Sequence, residues 1–467
     1  MFGVKERGVL IVSERNNKME LLGSAPIARA LMALGVPIMI GMLINAFYNL
    51  VDVYFVGGLG EGPMGAISVV FPLGQVVVGL GLMFGNGAAS YLSRLLGRGD
   101  RDGANKVAST ALYSSIFFGA VLIIVFTIYL EPILSLLGAT DTIMPFALMY
   151  ARIYVISCIF NVFNVTMNNI VASEGAAKTA MGALLLGAVL NIALAPFFIY
   201  TLHMGITGAA IATAISQFAT TLVYLTHILR RRSAFSFDIK DFTPSKRIFT
   251  EILKIGVPTL TFQILTSLSI ALINREASGY GDAAIAGMGA VTRVIAMGTL
   301  VVFGFLKGFQ AIAGFSYGAK NFTRLRQAIK TSIQWSTIFC VAVGLILLVF
   351  SSQIIAQFAN GNTEMAAIGQ KALVANGLSF CLFGFYTVYS SLFLALGEGT
   401  AGFILGACRQ GICFIPVILL LPHLWGLNGI LYSQPIADVI SIIVTIFMAL
   451  HLHKELATAE IQAFDNR

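Results

Sequence analysis

Two stretches decide how this chain folds: LGVPIMIGMLINAFYNLVDVYFVGGLG, Leu34–Gly60, and IGVPTLTFQILTSLSIALINREASGYG, Ile255–Gly281. Each opens on Gly-Val-Pro, runs apolar for about 20 residues, enough to cross a bilayer, and closes on glycine. The offset is 256 − 35 = 221 at the start and 281 − 60 = 221 at the end. The same offset carries Phe84 onto Phe305, Gly87 onto Gly308, Gly97 onto Gly318, Gly205 onto Gly426 and Gly208 onto Gly429. SEG at 173–175 matches GEG at 397–399 with an offset of 224, which implies a small insertion in one copy. The chain is a duplicated unit.

The composition sets the class. Of 467 residues 57% are hydrophobic and only 11% charged, with a mean hydropathy of +0.87. A soluble domain carries about 25% charged residues, so this is a polytopic membrane protein. Twelve apolar runs are long enough to span: about 27–51, 63–92, 106–130, 143–170, 179–202, 206–229, 248–275, 284–314, 327–351, 365–395, 402–422 and 427–452. The fold class is all-α, with twelve transmembrane helices in two six-helix lobes. The divisions are an N-terminal tail at 1–24, a first lobe at 25–229, a linker at 230–247, a second lobe at 248–452 and a C-terminal tail at 453–467. Residues 1–24 lack the apolar core of a signal peptide, so the first span serves as its own insertion signal.

Charge then sets orientation. Alternate connections hold Arg94, Arg98, Arg101 and Lys106; Lys178; Arg230, Arg231, Arg232, Lys240, Lys246 and Arg247; Lys320, Arg324, Arg326 and Lys330. The other connections hold no Lys or Arg, but carry Glu61, Glu131, Asp141, Asp282 and Glu364. By the positive-inside rule both termini and the basic loops are cytoplasmic. Both copies start on the same side, so the repeat is parallel, with its axis along the membrane normal. The net charge of +8 therefore reflects topology rather than nucleic-acid binding.

Asn45, Tyr48, Asn49 and Asp52 fall at i, i+3, i+4 and i+7 of the first span, one helical face. A carboxylate in a span is a functional candidate; alternatively Asp52, near the outer end, meets headgroups. A second stripe, Asn161, Asn164 and Asn168, lies in the fourth span. Three amides on one face either line a cavity or bond to neighbouring helices. Asn191 in the fifth span, and Thr213 and Gln217 in the sixth, can close a polar pocket around Asp52. In the second copy the counterpart of Asp52 is Ile273, and the seventh span carries Gln263, Thr266, Ser267 and Asn274 on roughly one face. Arg293, Lys307, Lys371, Arg409 and Asp438 are scattered over later spans, where pairing with acids inside the bundle accounts for them. Pro37 bends the first helix, as a static kink or as a hinge.

Cys158, Cys340, Cys381, Cys408 and Cys413 lie inside apolar runs without metal-ligand spacing and read as small buried hydrophobes. No phosphate-binding loop, dinucleotide fingerprint or nucleophile elbow is present, nor any cluster of acids, His or Cys suited to catalysis. The chain reads as a transporter, not an enzyme, without a cofactor, driven by an ion gradient.

Five segments together resemble the multidrug and toxic compound extrusion (MATE) family, nearest its bacterial MepA-like branch: GVPIMIGMLINAFYNLVDVYFVGGLG, GRGD after the second span, NIALAPFFI, GITGAAIATAISQ and IGVPT. The likeness covers about residues 25–455. It implies two lobes around a central cavity and export of small organic cations by H+ or Na+ antiport across the bacterial cytoplasmic membrane, by a monomer. It places the ion-coupling carboxylate at Asp52, with Asn191 and Thr213 as partners in a possible Na+ site. It has Asn168 lining the same pocket and Pro37 as the bend. From the polar stripes themselves, Asn45, Tyr48, Asn49, Asn161, Asn164, Gln217 and Gln263 are the further candidates to line the cavity. The family often has an Asp four residues after the fifth-span Asn; here that residue is Ala195. The acid several relatives have in the seventh span is also missing, with Thr266 near its place. Losing an acid weakens a Na+ site, whereas a single carboxylate still carries a proton, so H+ is the expected coupling ion. A Na+-coupled exporter, or a lipid or metabolite flippase of the same fold, is the alternative.

Overall fold

A computed structural model describes residues 18–137, 139–359 and 362–465. Residues 1–17 of the expected N-terminal tail and the last two of the C-terminal tail lie outside the described residues. Among those described are twelve helices long and apolar enough to cross a membrane. In chain order they are α1 (Ile27–Gly57), α2 (Glu61–Arg98), α3 (Arg101–Ile128), α4 (Met144–Ser173), α5 (Ala177–Pro196, continued by a π turn Phe197–Thr201) and α6 (Gly205–Leu229). The second set is α7 (Lys246–Ser278), α8 (Asp282–Gly318), α9 (Phe322–Val349), α10 (Thr363–Leu396), α11 (Gly399–Ala407, a π turn Cys408–Ile412, then Phe414–Trp425) and α12 (Leu427–Asp465). Most outlast their apolar run at the end that carries the basic loops, hereafter the basic end. Charged residues such as Arg98 continue the helix beyond the apolar layer.

The duplication is written into local geometry. Gly60 and Gly281 precede α2 and α8 with φ of 108° and 94°, and Gly205 and Gly426 enter α6 and α12 near 56° and 57°. Only glycine holds such angles without steric cost. Asp100 and Asn321, again 221 apart, cap α3 and α9 by accepting from the third following N–H. The short helices Leu130–Leu136 and Ser351–Ala359 start 351 − 130 = 221 residues apart. The SEG–GEG match needs correction. The left-handed glycines ending α4 and α10 are Gly175 and Gly397, an offset of 222 rather than 224. Glu174 and Glu398 are thus not equivalent, and one is buried while the other is exposed.

The two lobes meet along α1, α2, α7 and α8. Gly97 of α2 lies against the Phe315 carbonyl of α8, and Gly318 of α8 against the Arg94 carbonyl of α2. The two contacts are copies of each other, since 315 − 94 and 318 − 97 both equal 221. A Cβ on either glycine would meet backbone, so close packing here requires the missing side chain. Arg94 Nη2 bridges the interface to Glu251 Oε2 of α7 at 2.9 Å.

The basic end is tied further by two hubs. Glu174, fully buried between α4 and α5, accepts from Lys18 Nζ (3.2 Å), Ser233 Oγ (2.7 Å) and the Ala234 amide (2.5 Å), and lies 2.8 Å from His227 Nε2. Burial alone would raise its pKa; the bonds to His227 and Ser233 and the nearby Lys18 outweigh it and hold the carboxyl below the ordinary range. Arg324 of α9 spends its guanidinium on the carbonyls of Leu21, Leu22 and Ala25. A short helix at 18–23 is thereby fastened to the first lobe by Lys18 and to the second by Arg324. The linker is equally anchored. Tyr113 Oη donates to the Phe237 carbonyl (2.8 Å), and Asn105 Oδ1 accepts from the Ser236 amide (2.8 Å).

Candidate functional site

The register of α1 on α5 places the opening polar stripe. Gly41 lies against Leu184 and Gly58 against Tyr200, offsets of 184 − 41 = 143 and 200 − 58 = 142. Interpolation sets Asp52 level with residues 194–195 and residue 49 level with Asn191. Tyr200 Oη locks this register by donating to the Phe55 carbonyl at 2.7 Å. α1 runs through Pro37 as one helix, although proline there leaves the Ala33 carbonyl without its usual i+4 donor.

Around Asp52 four helices of the first lobe contribute. Tyr48 of α1 and Tyr150 of α4 stand within electrostatic reach of its carboxylate. Tyr150 stacks on Tyr154 with centroids 5.6 Å apart. From α5, Asn191 Nδ2 donates to Thr213 Oγ1 of α6 at 3.2 Å. Asp52 Oδ1, Asn161 Oδ1 and Asn191 Oδ1 are buried with no hydrogen-bond partner among the described residues. A buried acceptor left unmade is costly. Each of the three is an acceptor without a donor among the described residues. Ala195, at the level of Asp52, is fully buried within the apolar cluster of Val56, Ile199 and Ala209.

The remaining predicted residues separate into groups. Asn164 of α4 is satisfied by α6: Nδ2 donates to the Gln217 carbonyl (2.8 Å) and Oε1 (2.9 Å), and Oδ1 accepts from Thr221 (2.9 Å). This pair staples two helices. Asn168 Nδ2 donates to Tyr224 Oη at 2.9 Å, and Asn45 is half-buried on α1. The side chain of Asn49 lies outside the described residues. Gln263 is half-buried on α7 in the other lobe, where Thr266 and Ser267 donate back to their own helix.

The charges of the second lobe follow the expectation of acid pairing only in part. Arg409 donates from Nε to Asp438 Oδ1 at 2.9 Å, and Asp438 also accepts from Gln434 (2.8 Å) and Ser379 (2.9 Å). The guanidinium sits 4.6 Å over the Phe383 ring. Arg293 and Lys371 are exposed. Lys307 instead crosses to the first lobe, donating to Asn86 Oδ1 and to Asn169 Oδ1 (2.6 Å). Sequence reasoning missed Tyr150, Tyr154, Asn86 and Asn169. The tyrosines stand at i and i+4 of an apolar helix, a spacing that puts them on one face but does not say which.

Chemically, these first-lobe groups are one carboxylate, an amide and a hydroxyl already joined, and phenols; among the described residues they include no nucleophile–base pair.

The MatE family model matches residues 37–197 and 258–420; the two matches start 258 − 37 = 221 residues apart, the repeat offset. The multidrug export protein MepA of Staphylococcus haemolyticus is 29% identical over 432 residues, 92% of this chain and 95% of that protein. Its namesake in Staphylococcus saprophyticus is 28% identical over 433 residues, 91% of this chain and 94% of that protein. Among solved structures, a MATE in complex with MaL6 superposes with a TM-score of 0.90 at 28% identity, covering 94% of this chain and 99% of that one. A multidrug resistance MATE family transporter in an outward-facing conformation gives 0.89 at 28% identity, over 94% and 98%.

Proposed function

The chain belongs to the MatE family, and from that premise we propose that it exports small organic cations from the cytoplasm in exchange for protons, by alternating access between its two lobes. The observation that carries the coupling role is Asp52. Its Oδ1 is buried without a partner among the described residues, as are the Asn161 and Asn191 side-chain oxygens of the same lobe, and of the three it alone belongs to a titratable group. Asp52 cycles between a charged form that accepts a donor or cation and a protonated form that supplies a donor itself. That exchange redistributes hydrogen bonds among α1, α4, α5 and α6. Asn191 and Thr213, already bonded at 3.2 Å, fix the wall opposite, and the phenols of Tyr48 and Tyr150 complete it. The basic end faces the cytoplasm, so Asp52, near the other end of α1, takes its proton from outside.

Sodium is the second reading. Asp52 Oδ1, Asn191 Oδ1 and Thr213 Oγ1 supply the oxygens a hard cation needs. Proton coupling is favoured because the level of Asp52 on α5 is occupied by Ala195 in an apolar cluster, leaving one formal charge.

Reconstituted vesicles decide the matter. An imposed proton gradient should drive efflux of a fluorescent cation, and Asp52→Asn should abolish that efflux while the protein still inserts, because the amide keeps size and hydrogen bonding. Wild-type rates in Asp52→Asn would end the coupling role. Efflux driven by Na+ alone would select the sodium reading.

A further inference from the structure

Lys307 lies 318 − 307 = 11 residues before the end of α8, about 16 Å along the helix axis. It lines a cavity between the lobes with Asn86, Ser90, Asn169, Ser173 and Gln310 among the other wall residues. Its ammonium donates to Asn86 Oδ1 and Asn169 Oδ1. No acid pairs with it among the described residues. Two buried or half-buried carboxylates near this end are engaged elsewhere: Glu251 with Arg94, and Glu174 with Lys18 and His227. The wall hydroxyls are turned onto backbone, Ser173 Oγ to the Ile170 carbonyl and Ser90 Oγ to that of Leu394. The cavity thus holds one positive charge balanced only by amide dipoles.

A cation withdrawn from water into such a place gains most from a full counter-charge. The two amide oxygens come from two different helices, α2 and α4, and approach one ammonium as the two oxygens of a carboxylate would. Both belong to the first lobe, while Lys307 belongs to the second. When the lobes part at this end, Lys307 must leave both amides, and the ammonium is presented to whatever enters.

We propose that Lys307 is an anion-recognition site in the lobe interface, engaging the carboxylate of zwitterionic substrates that also carry a cationic group. The inference rests on the exporter reading and deepens it: the substrate's cationic end suits the Asp52 carboxylate proposed for coupling, and its acidic end suits Lys307. Each end meets its charge in a different part of the route, and a purely cationic compound meets a like charge at Lys307.

Rhodamine 110, which bears a free carboxylate, and its methyl ester rhodamine 123 form a matched probe pair. Binding is read by fluorescence anisotropy on the full-length protein in detergent, and export in vesicles under a proton gradient. The acid-to-ester affinity ratio should fall by about thirtyfold or more in Lys307→Gln, the order expected for losing one desolvated charge partner, and recover in Lys307→Arg. Asn169→Asp keeps Lys307 but supplies a resident carboxylate, and should lower the same ratio even if Lys307→Gln does not fold. An unchanged ratio in Lys307→Gln or in Asn169→Asp, or equal loss of both dyes, would overturn the proposal and leave Lys307 a structural tie between lobes. Displacement of bound rhodamine 110 by phosphatidylglycerol would overturn it in favour of lipid headgroups. Failure of wild-type vesicles to export either dye would instead defeat the exporter reading, since the detergent measurement needs no gradient.

Discussion

The ion pair between Arg409 and Asp438 gives a quantitative test of how the second lobe is held. Both residues are nearly inaccessible, at 7% and 5% exposure, so solvent screening is weak. Asp438 accepts three hydrogen bonds, from Arg409, Gln434 and Ser379. Asp438→Asn preserves shape but strands the guanidinium of Arg409 over the Phe383 face. A buried charge left without its partner costs about 3–5 kcal/mol. The cation–π contact returns about 2 kcal/mol at most, and that contact exists in the parent as well. Arg409→Gln strands the carboxylate, with Gln434 and Ser379 still donating, so its cost falls toward the lower figure. The double substitution removes both charges and leaves neutral groups able to bond to one another. It should therefore be more stable than the sum of the singles by about 2 kcal/mol. Thermal unfolding in detergent should order the proteins as parent, double variant, then the two singles. Additive losses in the double variant would refute the reasoning, since two groups that do not sense each other cannot be a buried pair.

Further outcomes follow from other parts of the structure. Glu174→Gln should release the short helix at 18–23, read as faster proteolysis near Lys18, because the Lys18 and His227 contacts lose their charge partner. The Glu174 carboxyl is held below the ordinary range, so its stabilising contribution is complete above about pH 4.5 and is lost only as pH falls through the lowered value; acid sensitivity of the Lys18 region that began near neutral pH would contradict this. Gly318→Leu, against the Arg94 carbonyl, should force α2 and α8 apart and cost several kcal/mol by overpacking, visible as a large drop in melting temperature that Gly182→Leu, in open space, does not share. Cysteines placed at Thr140 and Lys240, both exposed, should react with a membrane-impermeant maleimide from outside and only from inside, respectively. Ala195→Asp should make melting temperature rise with Na+, through an added carboxylate level with Asp52; a variant indifferent to Na+ would argue against that level.

The fold was legible because its signals are repeated and long-range. Twelve apolar runs and a 221-residue offset need no knowledge of side-chain contacts, and the structure returns both in the glycine angles and helix caps. Asn191 and Thr213 stood out as polar residues in otherwise apolar spans, but their bond to each other was not legible. What was not legible was the choice of partner. Asn164, Gln217 and Lys307 are all polar groups in spans, yet the first two satisfy each other within one lobe while the third reaches across to another. Periodicity puts a residue on a face; only packing decides what that face meets. Tyr150 and Tyr154 escaped notice for the same reason, because tyrosines in an apolar helix suit lipid interfaces as readily as a buried carboxylate. The misaligned SEG and GEG show the limit of matching letters, as the geometry pairs Gly175 with Gly397.

Lys307 and Asn86 are themselves 307 − 86 = 221 residues apart, so each is the other's duplicate. A residue that touches its own copy stands on the axis relating the two halves. Were the halves separate, identical subunits, that spot would face itself, and two ammonium groups there would repel without a counter-ion. A lone positive charge on the axis is available only to a fused chain, in which one copy can change without the other. Joining the halves covalently thus opened a chemistry that no symmetric pair could hold, at the place where the two lobes touch.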